Sequence, residues 1–121
     1  IGGLLMAMLV AAPAATQTAK APRLSDKELV ALIQNAKTPA DHEKLAAYYD
    51  QTAAELEQKA TKHKELAAAY RRTPPPAAFS ARMSNPTFPV THCDNVATSA
   101  TKEAQESRAM AEHHRMLAKA V

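Results

Sequence analysis

The stretch PADHEKLAAYYDQTAAELEQKATKHKELAAAYRR, from Pro39 to Arg72, has no glycine and no proline after its first residue. Alanine, leucine, glutamate, glutamine and lysine fill it, and these have the strongest intrinsic helix propensities. Thr38 stands where an N-cap belongs, with Pro39 at the first helical position. Asp41 and Glu43 follow in the first turn, where carboxylates suit the positive end of the helix dipole. Pro74-Pro75-Pro76 then removes three backbone donors in a row. The spacing predicts one helix over 39–72, about 50 Å long at 1.5 Å per residue. Such length without internal caps points to a coiled-coil-like hairpin.

The pattern of this stretch recurs downstream. His42, Leu45, Ala46, Ala53, Ala60, His63, Leu66 and Ala67 correspond, 51 residues on, to Cys93, Val96, Ala97, Ala104, Ala111, His114, Leu117 and Ala118. Alanine richness produces some matches by chance, but His63 with His114 and Leu66 with Leu117 do not arise that way. Fixed-period similarity of this kind marks an internal duplication.

Both copies carry heptads. His42, Tyr49, Leu56, His63 and Tyr70 recur every seven residues, with Ala46, Ala53, Ala60 and Ala67 between them. Cys93, Ala100, Ser107, His114 and Val121 do the same, interleaved with Ala97, Ala104, Ala111 and Ala118. Seven-residue spacing puts such side chains on one stripe. Alanine at every second seam position lets two backbones approach closely, but the resulting core has little apolar volume.

Upstream, Ser25 and Glu28 form a capping box ahead of Leu29, Val30, Leu32 and Ile33, which predicts a short helix over about 26–36. Downstream, the five prolines of residues 73–90 predict a stiff, extended connection. Thr91 is the expected N-cap of a last helix over about 92–120, with Asp94 three residues on. The fold class is therefore all-α: an antiparallel helical hairpin of two long helices, residues 25–121, with a short helix before it. Because so thin a core is marginal, the short helix is expected to cover part of the hairpin, or two hairpins to pair into a four-helix bundle.

The beginning of the chain reads differently. Ile1 to Ala12 is almost wholly apolar, and Ala12-Pro13-Ala14 follows with small residues at alternate positions. This is the h-region and cleavage pattern of a secretory signal, whose initiator methionine and basic n-region are expected upstream of Ile1. The mature chain is expected to start near Ala15, with 15–24 as a flexible leader, in the periplasm or outside the cell. The apolar run is too short to span a bilayer as it stands, so a membrane is expected only through an uncleaved N-terminus.

The formal charge of +3 is spread along the helices, with Arg71-Arg72 the only adjacent basic pair. That is a solvated surface rather than the clustered footprint of a nucleic-acid binder.

All five histidines and the single cysteine fall at the ends predicted for the hairpin. Antiparallel folding brings His42 near His113 and His114, with Met110 and Met116 on the same turns. It brings His63 near His92 and Cys93. Imidazole and thiolate suit zinc, copper and nickel, and thioether suits reduced copper. Cys93 at the second position of the last helix would sit among unpaired N–H groups, which favour the anionic sulfur a metal needs. Asp41, Glu43 and Asp94 stand close enough in sequence to complete a coordination sphere.

The candidate metal ligands are thus His42, His63, His92, Cys93, His113 and His114. The plainer reading makes the seam histidines polar core residues bonded to neighbours, the methionines core filler, and Tyr48, Tyr49 and Tyr70 edge packing with hydroxyls in water.

No oxyanion hole or substrate cleft accompanies Cys93, so an enzyme is not expected. The expected function is binding of a transition metal for sequestration, transport or sensing. The alternatives are a structural or interaction module that pairs with a further copy or another envelope protein, and bis-histidine haem binding.

Overall fold

A computed structural model describes residues 23–121. The secretory signal expected at 1–14 and most of the leader lie outside the described residues. Four helices follow in order: α1 Asp26–Asn35, α2 Pro39–Arg72, α3 Ala77–Ser80 and α4 Phe88–Ala120. No strand occurs among the described residues. The helices α2 and α4 pack along each other as the antiparallel hairpin the heptads predict.

Local chemistry sets the boundaries. At the start of α1, the Ser25 side chain accepts from the Glu28 N–H while the Glu28 carboxylate accepts from the Ser25 N–H. Thr38 and Asp41 repeat the arrangement at α2. Asp41 Oδ2 also takes the Lys37 N–H, and these bonds hold its carboxyl below the usual carboxylate range. The end of α2 is closed by the Thr73 N–H on the carbonyls of Ala69 and Tyr70, immediately before the proline triplet.

Two boundaries differ from expectation. The connection after α2 is not extended throughout, because it folds into the single turn of α3 on the Pro76 carbonyl. The last helix begins at Phe88, a full turn earlier than expected, with Thr87 rather than Thr91 as its N-cap residue. Pro89 explains the shift: within the first turn its missing N–H has no intrahelical partner to lose, so it opens the helix instead of preventing it.

The core is the alanine seam. Ala46, Ala53, Ala60 and Ala67 of α2 are buried, as are their counterparts Ala97, Ala104, Ala111 and Ala118 of α4. Burial thus repeats with the sequence repeat. Leu45 is the only large side chain among the described residues that is buried to below 2 % exposure. Ion pairs run beside the seam. Arg108 forks onto Glu57 at 2.8 and 2.9 Å, and Arg115 pairs with Asp50. Glu57 and Arg108 occupy equivalent positions of the two repeats, so this pair lies where the hairpin's approximate two-fold passes.

The short helix covers part of the hairpin. It folds back along α2 alone and makes no close backbone approach to α4. Arg23, just ahead of it, pairs with Glu55 and lies over the Tyr48 ring, which anchors that end. Leu29 and Leu32 are half-buried, while Val30 and Ile33 stay exposed. No helix among the described residues is long and apolar enough to cross a membrane.

Candidate metal centre

At the open end of the hairpin, the first turn of α2 meets the penultimate turns of α4. Here His42 and His114 face each other across the seam with their Nδ1 atoms 3.3 Å apart. Their planes are 22° apart with centroids 5.6 Å apart, so the rings meet edge to edge through these nitrogens rather than face to face. Tyr49, one heptad after His42, also contacts His114, with ring centroids 5.8 Å apart and planes 5° apart. His114 thus contacts two rings of α2, and it is 8 % exposed. Burial, then the nearby His113 and His42, holds its pKa below the ordinary histidine value. A neutral ring with a free lone pair is the form that either a hydrogen bond or a metal uses.

The pair can act in two ways. As it stands, one Nδ1–H donates to the lone pair of the other ring. With that ring in the tautomer that carries its proton on Nε2, both Nδ1 lone pairs are available to one cation. Two donors about 2.0–2.1 Å from a tetrahedral ion lie about 3.3–3.4 Å apart, the separation found here.

The other candidates fall out differently. His113 is exposed and touches His114 edge-to-face at 5.5 Å, so it belongs to this end without facing α2. At the turn end, the register that opposes His42 to His114 brings His63 level with Cys93. His63 directs its Nδ1–H to the Lys59 carbonyl at 2.9 Å, which leaves the lone pair on Nε2. Cys93 is a buried free thiol. His92 is exposed and stacks on Phe88 of its own helix at 5.8 Å. Because α4 starts at Phe88, Cys93 lies in its second turn, away from the unpaired N–H groups expected around it.

The carboxylates expected to complete a sphere are engaged elsewhere: Asp41 caps α2 and Asp94 pairs with Arg71. Among the described residues, no three of histidine, cysteine, aspartate and glutamate gather as a metal-holding group.

Sequence reasoning placed the His42–His114 pair but missed the contact of Tyr49 with His114. The heptad puts Tyr49 on the His42 stripe, but edge packing was expected of it, and the stripe was the signal that it reaches His114. The Asp50–Arg115 pair alongside was also missed, because opposite charges on two helices show their partner only once register is known. The chain matches no protein-family model, no curated protein and no solved structure with which it was compared.

Proposed function

We propose that the chain is an exported, periplasmic protein that binds a transition metal ion, copper, zinc or nickel, for sequestration, carriage or sensing, and that it is not an enzyme. The observation that supports this reading is the 3.3 Å separation of the His42 and His114 Nδ1 atoms across a seam of fixed spacing. An ion entering there takes both Nδ1 lone pairs, with the shared proton given to solvent and Nε2 of the same ring protonated in its place, and the spacing needs no movement of the helices. His63 and Cys93, level with each other at the turn end, are the counterpart pair from the duplication.

The test is elemental analysis of periplasmic protein purified without chelator or affinity metal, followed by titration with each ion. One ion at the open end, lost in His42→Ala and in His114→Ala with helicity retained, is the expected result. His63→Ala and Cys93→Ala are expected to affect only the turn end. Protein that is metal-free and takes up none of the three ions would sink the proposal and leave the pair as a structural hydrogen bond.

A second reading, an interaction module joined to a further copy or another envelope protein, is favoured by one feature. At the turn, Tyr70, Pro75, Phe79, Met83 and Val90 line an open apolar groove of about 240 Å³. A stable metal-free oligomer in sedimentation equilibrium would favour it. Haem fits the open end poorly, because a porphyrin would have to lie between two rings whose nitrogens are already 3.3 Å apart. A Soret band appearing on haem addition and lost in His114→Ala would reverse that view.

A further inference from the structure

The open end carries a sulfur that the fold does not use. Met110 precedes His114 by one helical turn, and residues four apart on a helix are neighbours, about 5–6 Å between Cβ atoms. Helical side chains lean toward the N-terminus, so His114 inclines over the Met110 turn. Methionine in a helix bundle ordinarily fills irregular core gaps. Met110 does not, since it is 40 % exposed and the seam beside it is closed by alanine. Met116, the other exposed methionine of this end, stands two residues past His114, and residues at that spacing do not share a face.

Ligand count decides which ion suits such a place. Zinc in protein sites takes four donors, at least three of them from the protein when the site is catalytic. The open end offers two imidazoles that face each other, and among the described residues no third histidine, cysteine or carboxylate joins them in a metal-holding group. Reduced copper has a filled d shell, accepts two or three donors, and prefers thioether and thiolate sulfur alongside imidazole.

We propose that the open end is a reduced-copper site, with His42 Nδ1, His114 Nδ1 and the Met110 thioether as its three donors. This rests on the metal-binding reading above and narrows it to one ion and one further ligand. Asp50 beside it is paired with Arg115, so the donor set is neutral and suits a monovalent ion better than a divalent one.

The experiment is anaerobic competition for copper(I) against a chromophoric copper(I) chelator, with zinc competition in parallel. Cys93 is a second sulfur that could take copper, so both are run on Cys93→Ala protein with and without Met110→Leu. X-ray absorption at the copper edge of the loaded protein reads the donor set. The expected result is one copper per chain with a copper–sulfur distance in Cys93→Ala. Adding Met110→Leu is expected to remove that distance and weaken copper at least tenfold, with circular dichroism and any zinc affinity unchanged.

Equal copper affinity in both proteins, or a sphere of nitrogen alone in Cys93→Ala, would overturn the Met110 assignment while the metal reading survived. Binding of zinc in preference to copper would also overturn it. Failure of the unmutated chain to bind copper, zinc or nickel would remove both together.

Discussion

Ala53 is 0 % exposed at the middle of the seam, and Ala54 beside it is exposed. Replacing each with leucine adds the same three carbons to the same helix and barely changes helix propensity. Only the surroundings differ. At Ala53 the added carbons meet α4, whose buried Ala104 is the counterpart position in the second repeat. Overpacking a closed core costs about 1–3 kcal/mol, whereas an exposed change stays within roughly ±0.5 kcal/mol. A domain of this size has total stability on the order of 5–15 kcal/mol, so the cost is a substantial fraction. Each kcal/mol moves the melting midpoint by about 4–8 °C for domains of 60–100 residues. Ala53→Leu is therefore expected to melt roughly 5–20 °C below Ala54→Leu, followed by circular dichroism at 222 nm. Urea denaturation checks the same difference at constant temperature. Equal midpoints for the two variants would refute the reasoning, because they would mean the helices stand far enough apart to admit a leucine.

Two further outcomes follow from local chemistry. Thr38→Ala removes the side-chain half of the capping box at the start of α2 and is expected to cost about 1 kcal/mol in urea denaturation, while Thr91→Ser, away from any cap, leaves the midpoint unchanged. His114 in the folded chain binds its proton less readily than in the unfolded chain, so the metal-free protein has its full stability above the ordinary histidine value of 6.5 and loses it as the pH falls below that toward the lowered folded value. Denaturation midpoints measured between pH 8 and pH 5 should fall with pH in the unmutated chain and fall less in His114→Gln; equal slopes would discard the account.

The hairpin was legible because its determinants are local or periodic. Thr38, Pro39 and the triplet Pro74-Pro75-Pro76 mark both ends of α2 without reference to any other part of the chain. The heptads of alanine specify which stripe is buried, and the repeat specifies that both helices bury equivalent stripes. Pro89 misled because proline breaks a helix interior but opens a first turn, and only the position of the preceding turn separates the two cases. The opposition of His42 and His114 followed from antiparallel pairing alone. The contact of Tyr49 with His114 did not, since ring orientation depends on the rotamers that close packing permits. Likewise, the capping role of Asp41 removed it from the metal donors for a reason visible in sequence: Thr38 and Asp41 have the capping-box spacing, and a carboxylate holding two N–H groups has little left to offer a cation.

The separation of the two imidazoles is set by the same alanines that make the core, and this gives the metal reading a stringent test. Ala46 lies one turn after His42, and Ala111 lies one turn before His114; both are buried. Valine at Ala111 adds two carbons at a fully buried seam position and must push the helices apart locally. Two nitrogens bound to one ion at about 2.0–2.1 Å can be at most about 4.1 Å apart, even in a linear arrangement. Starting from 3.3 Å, a spread of 1 Å exceeds that limit. The same substitution at Ala60, about 21 Å along α2 from Ala46, overpacks the seam equally but leaves the open end alone. Both variants are expected to lose similar stability, read from urea denaturation, whereas only Ala111→Val should lose binding in the copper or zinc competition assay. Retention of unmutated affinity by Ala111→Val would show that the ion is not held between His42 and His114. Loss in both variants to the same degree would tie binding to global stability rather than to the spacing of the pair.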